Sequence, residues 1–277
     1  MANGTCKLTG DKGPFVKSHI IPKALTYGAN NQFPFAQAGR DIAPIKRWDS
    51  WYDKRMVTQA GETILEAYDD WAIRELRSSK LVWSGWGKSK TLPAEVMKIP
   101  DSDGWGVRKI KGIDGRRLRL FFLSLLWRAA VSEMVEFKKV RLHASDVRRL
   151  RKMVCDGDPN PSGRFPIVLV QLSTVGPIHN LAPLEQRKPK HPWLNNGPSY
   201  PIFRFYFDGL IAHIHKEISE KEVKGLGSMI VGRQEDLTVS TVPFETSWQR
   251  ENLSELIREA ETRWPEKLAK IPGFSPK

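Results

Sequence analysis

The sequence predicts an α+β fold, and three observations carry that expectation. Helical periodicity dominates up to residue 157, in stretches at 61–80, 115–134 and 145–155. Beyond residue 160 the pattern changes to short runs rich in β-branched and aromatic residues, at 164–173, 199–217 and 236–244. The composition, 40% hydrophobic with ten tryptophans in 277 residues, is that of a globular chain able to bury a sizeable core. Helices and strands that segregate along a chain, rather than alternate, predict an antiparallel or mixed sheet with helices packed on it.

The elements follow in order. "CKLTGDKGPFVKSHIIPKAL" (6–25) reads as two short extended pieces around the turn Thr9–Gly13, with the second piece stopping at Pro22. "TYGANNQFPFAQAGRDIAP" (26–44) reads as a loop, being dense in Gly, Asn and Pro. In "GETILEAYDDWAIRELRSSK" (61–80), Ile64, Leu65, Tyr68, Trp71, Ala72 and Leu76 recur at helical spacing, and acidic residues crowd the N-terminal half. Residues 84–106 read as loop. "GRRLRLFFLSLLWRAAVSEM" (115–134) is apolar almost all round and predicts a buried helix. "SDVRRLRKMVC" (145–155) is amphipathic, with Ser145 as its cap and Gly157 as its stop. After the strand at 164–173, residues 176–198 read as a Pro- and Asn-rich loop containing His179 and His191. The run 199–217 contains "YFDG" (206–209), the signature of a hairpin turn. Residues 225–232 read as a glycine-rich turn and 236–244 as a strand. A last helix, capped by Ser247 or Thr246, carries Leu253, Leu256, Ile257, Ala260 and Trp264 at helical spacing. We expect two parts, 1–110 and 111–277, with the alternative that the two pack as one domain.

The formal charge is +13, and it is uneven: +5 over 1–110, +9 over 111–210 and −1 over 211–277. A basic middle predicts a polyanionic partner, nucleic acid foremost; the alternative is charge that serves solubility alone. No run approaches the ~20 apolar residues of a membrane span, and the first ten residues have no apolar signal core, so a cytoplasmic protein is expected. The two cysteines, Cys6 and Cys155, are expected as thiols and are too few for a four-cysteine zinc site. His213 and His215 share one side of a strand, but the sequence offers no third metal ligand.

The segment Ser18-His19-Ile20-Ile21-Pro22, followed by an acidic helix, resembles the HNH (ββα-metal) family of nucleases. It is most similar to bacterial members in which two Cys-x2-Cys knuckles bind a structural zinc that holds a hairpin to a helix. The resemblance implies a ββα-type N-terminal module over 1–110, with His19 as general base and a divalent cation, Mg or Mn, stabilising the scissile phosphate. The segments "FFLSLLWRAAVS" and "RFYFDG" extend it toward the C-terminal part. The departures are specific. Cys6 occupies the first knuckle position, but Thr9, Thr58 and Gly61 occupy the other three, so structural zinc is not expected. Trp48, Trp51 and Tyr52 are of a size to replace it by packing. Ser18 stands where an active enzyme has an acidic residue or histidine.

Glu62, Glu66 and Asp69, spaced i, i+4, i+7, share one side of the helix and are the candidate metal ligands; the alternative is a solvated acidic face with His19 as a hydrogen-bonded strand-end residue. Lys17, Lys23, Arg116, Arg117, Arg119, Arg148, Arg149, Arg151 and Lys152 are the candidate nucleic-acid contacts. The leading expectation is a nucleic-acid-binding protein on a degenerate, zinc-less HNH-like scaffold, by resemblance a component of a bacterial or phage conflict system. The alternatives are an active metal-dependent endonuclease and a protein–protein adaptor that joins other subunits through its Trp-rich loops.

Overall fold

A computed structural model of the protein describes residues 2–26, 35–47, 50–189, 199–216 and 218–271. The chain opens with the hairpin β1 (Asn3–Thr5) and β2 (Lys12–Pro14), then β3 (Ser18–His19), a second hairpin of β4 (Phe35–Gly39) and β5 (Ile42–Arg47), and β6 (Tyr52–Asp53). The long helix α1 (Gln59–Ser78) follows, then β7 (Met97–Lys98), β8 (Gly106–Ile110), α2 (Gly115–Val131) and α3 (Ala144–Asp156). The second half contains β9 (Ile167–Leu172), β10 (Asn180–Leu181), β11 (Leu184–Pro189), β12 (Ser199–Phe207), β13 (Leu210–His215), α4 (Glu220–Leu226), β14 (Leu237–Val242), α5 (Trp248–Arg263) and α6 (Pro265–Leu268). The fold is α+β, although its strands are not confined to the second half: β1–β8 all precede α2, and β7 and β8 join the main sheet.

Its centre is a seven-stranded sheet ordered β11-β12-β13-β9-β14-β8-β7. All neighbours are antiparallel except β9 and β14. Alternate residues feed two cores. Phe203, Phe205 and Phe207 of β12, with Leu210, Ala212 and Ile214 of β13, face helices α1–α3. Tyr206, Ile211, Val170 and Val242 point the other way, toward Trp105 and Leu253 of α5. With both faces covered, β9 and β13 are buried along their whole length, which is why they read as continuous apolar runs. Helix α2 lies under the sheet with every residue from Leu118 to Ala129 buried, as its all-round apolar sequence requires.

The local signals map closely. Asp208 and Gly209, both at positive φ, make the two-residue turn between β12 and β13, with Phe207 paired to Leu210. Ser247, rather than Thr246, caps α5 by accepting from the Arg250 amide. Helix α3 ends at Gly157 in the left-handed conformation. Its cap, however, is the His143 ring, which accepts from the Ser145 amide, so Ser145 lies inside the first turn.

Two expectations are corrected. Residues 26–44 and 176–198 are not wholly loop: β4 and β5 pair as a hairpin, β10 joins β4 in parallel, and β11 forms the edge of the main sheet. Strand β11 reads "LEQRKP", the polar sequence of an edge strand, with no apolar alternation to betray it. The glycine-rich stretch 225–232 is mostly the expected turn, a 3-10 turn at Gly227–Met229 with a further turn from Val231, and only its first two residues complete α4. Finally, a boundary after residue 110 would cut through shared structure. β8 pairs with β14, and one core runs from Cys6 through α1 and α2 to Val239. No helix among the described residues is long and apolar enough to cross a membrane.

Candidate functional site

The N-terminal hairpin docks on the start of α1 through backbone and small side chains. The Lys7 amide donates to the Met56 carbonyl at 2.9 Å, the Val16 amide to Val57 at 3.1 Å, and Phe15 bridges to Thr58. At the centre lies Cys6, 1% exposed. Its sulfur accepts from the Thr9 amide at 3.4 Å. Burial pushes the thiol's pKa up, but hydrogen bonds from Thr9, Thr58 and Leu8 outweigh it and bring it down to about 7. A Cβ placed on Gly61 would stand 2.6 Å from this sulfur. Cys6, Thr9, Thr58 and Gly61, the four positions singled out in sequence, thus meet around one point, with a single thiol among them. Of the aromatic residues expected to replace the zinc by packing, two are described. Trp51 packs edge-on against Phe137, at 5.9 Å between ring centroids, and Tyr52 packs against His19. Trp48 and His191 lie outside the described residues.

His19, at the end of β3, is half-buried and faces the same helix two turns further on. The carboxylates expected to gather a metal near it are otherwise engaged. Asp69 is held by Arg128 from α2 through both oxygens, at 2.5 and 2.9 Å. Arg128 itself is 1% exposed and also donates to the His19 carbonyl and the Ser124 hydroxyl, each at 2.9 Å. A guanidinium therefore occupies the place of the expected cation, and both Asp69 oxygens are engaged by it. Glu62 is partly buried against Ser18; burial raises its carboxyl pKa, and the Ser18 hydroxyl and Arg128 pull it back. Glu66 is exposed. Among the described residues no group of three or more His, Cys, Asp or Glu is placed to hold a metal ion, so the expected Glu62–Glu66–Asp69 set is not assembled. The sequence showed the i, i+4, i+7 spacing, but not the arginine 59 residues away that takes Asp69.

The candidate nucleic-acid contacts divide. Lys17, Lys23, Arg116, Arg117, Arg148, Arg149 and Lys152 are exposed. Arg117 lies over the Trp71 ring and Lys17 over Tyr52, while Lys152 and Arg116 pair with Asp156 and Asp158. Arg148, Arg149 and Lys152 line an open groove of about 540 Å³ together with the carboxylates Asp156 and Asp158. Two of the set are structural instead. Arg119 is 1% exposed and donates to the carbonyls of Pro159, Phe165 and Arg164, holding the loop after α3. Arg151 is half-buried and donates to the Leu8 carbonyl at 2.5 Å, tying α3 to the N-terminal hairpin. Their places on helices α2 and α3 put them toward the protein, a distinction the bare charge run does not carry.

A second groove, about 640 Å³, is lined by Lys138, Lys139, Arg141 and Arg187, together with Glu185. Sequence reasoning passed over it because its cations come from separate segments. His213 and His215 are both buried on β13. Cys155 is exposed and Cys6 buried, and neither forms a disulfide. Comparison with protein-family models, curated proteins and solved structures finds no match to this chain.

Proposed function

We propose that the chain is a nucleic-acid-binding protein built on a degenerate, zinc-less HNH-like scaffold. The observation that carries the binding role is the exposed side of α3, where Arg148, Arg149 and Lys152 line an open groove, with Lys152 paired to Asp156 and Arg116 of α2 reaching the groove through Asp158. Spaced cations on an open surface suit phosphates rather than base edges, so binding of this kind positions a backbone without reading sequence. The scaffold reading draws support from the meeting of Cys6, Thr9, Thr58 and Gly61, and from a hairpin, His19 and α1 arranged around them. The Arg128–Asp69 pair speaks against the nuclease alternative, since it fills the expected cation's place with a fixed side chain. By resemblance alone we extend the proposal to a subunit of a bacterial or phage conflict system.

The test is binding of labelled duplex DNA and single-stranded RNA in rising salt. The logarithm of the binding constant should fall linearly with log salt, and Arg148→Ala with Arg149→Ala should flatten the slope by about 1 per lost contact. A salt-independent affinity, or no binding at low salt, removes the reading.

A further inference from the structure

The open groove of about 640 Å³ at the β11 edge of the sheet carries positive charge that nothing nearby offsets. One wall is β11, where Glu185 and Arg187 stand opposite Phe203 and Pro201 of β12 and so share the sheet face that meets helices α1–α3. The other wall is the segment 138–141, which leads into α3 and brings Lys138, Lys139 and Arg141. Two of these charges are matched: Lys139 pairs with Asp41 at 2.6 Å, and Glu185 with Lys216 at 3.0 Å. Lys138, Arg141 and Arg187 are exposed, and among the described residues no carboxylate pairs with them. The two arginines are oriented by neutral oxygens, Arg141 Nε by the Lys138 carbonyl and Arg187 Nε by the Ser199 hydroxyl, each at 2.9 Å. Such bonds aim a guanidinium without neutralising it. In the groove along α3, by contrast, Lys152 and Arg116 are already paired with carboxylates.

The two grooves adjoin through the chain itself. Arg141 lines one and Ser145 the other, and four extended residues span at most about 14 Å. From Ser145 to Lys152 the helix adds about 10 Å. Between the grooves stands the first turn of α3, whose leading amides carry the positive end of the helix dipole. Ala144 and Ser145 are exposed there, and the carboxylate of that turn, Asp146, is half-buried. Among the described residues neither groove is lined by an aromatic ring on which a base could stack.

We propose that the two grooves form one phosphate track. A nucleic-acid backbone bound along the exposed side of α3 continues past the helix's N-terminus into the groove between Lys138, Arg141 and Arg187. The inference rests on the nucleic-acid-binding reading and extends it from a patch to a path. Arg141 and Lys152 lie within about 25 Å of each other, the length of about seven nucleotides at 3.4 Å each. Cations distributed over that whole length suit a backbone charged at every step, whereas an acidic peptide needs only one of the grooves.

Lysine acylation read by mass spectrometry tests the track on the unaltered chain, alone and with a DNA duplex or an RNA strand of about 20 nucleotides, long enough for the whole path. Lys138 and Lys152 should be protected together, while Lys98, on β7 at the opposite edge of the sheet, keeps its reactivity. Lys138→Ala with Arg141→Ala should flatten the slope of log affinity against log salt by about 2, beyond the change made by the Arg148 and Arg149 variants. Protection of Lys152 with Lys138 as reactive as in the free chain, or an unchanged slope in the double variant, overturns the track and leaves binding at α3 standing. No binding at low salt and no protection of either lysine removes the track and the underlying reading together. Poly-glutamate that protects Lys138 but not Lys152, as fully as the nucleic acid does, gives the groove to an acidic protein segment and overturns the track.

Discussion

At the residue scale, the decisive contact is Arg128 on Asp69. The two are 59 positions apart, and neither has a local pattern that names the other. The pair is nearly sealed from water, with Arg128 1% and Asp69 16% exposed. Removing one partner of such a pair strands the other's charge in the core. Arg128→Ala should therefore cost about 3–5 kcal/mol in urea unfolding. The combined Arg128→Met and Asp69→Leu change should cost much less than Arg128→Ala alone, because no charge is left buried. Equal losses for the two would show that the arginine acts through its bonds to His19 and Ser124 rather than by neutralising Asp69.

At the element scale, the junction of the first hairpin with α1 depends on an absent side chain. Gly61 lies in the first turn of the helix, where alanine would ordinarily add up to about 1 kcal/mol of helix propensity. Here its Cβ would stand 2.6 Å from the Cys6 sulfur and 3.0 Å from Val57. Gly61→Ala should thus destabilise by about 1–3 kcal/mol through overpacking. In a Cys6→Ala background most of that cost should vanish, which a double-mutant cycle reads directly. Additive single effects would mean that the sulfur is not what the new methyl group meets.

At the scale of the whole molecule, one core joins the N-terminal hairpin, α1–α3 and one face of the sheet. β8 closes that sheet against β14, more than 120 residues later. A fragment of residues 1–110 would expose the faces of α1 and β8 that α2 and β14 cover, so it should lack the cooperative unfolding of the full chain. The full chain should lose far- and near-ultraviolet circular dichroism together in urea. A fragment with its own sharp transition would restore the two-part division.

The elements were legible wherever local pattern and burial agree. α2 is apolar all round because it is buried all round, and the Asp208-Gly209 turn needs two residues at positive φ, which that pair supplies. β10 and β11 were not legible, since a strand at a sheet edge, or one paired over only two residues, needs no apolar alternation. The charge run on α3 was visible as a run, but only packing separates exposed Arg148 and Arg149 from Arg151, which is turned onto the Leu8 carbonyl.

The sequence by itself determined the α+β class, the principal helices and the central hairpin. These rest on periodicity, turn chemistry and residue identity, which act over a few neighbours. Only the tertiary structure decided that Arg128 takes Asp69, that Arg119 is a buried strut, and that Arg141 and Arg187 line one groove. Those outcomes depend on side chains brought together from distant segments, where burial raises the cost of every unpaired charge and so determines which partners must meet.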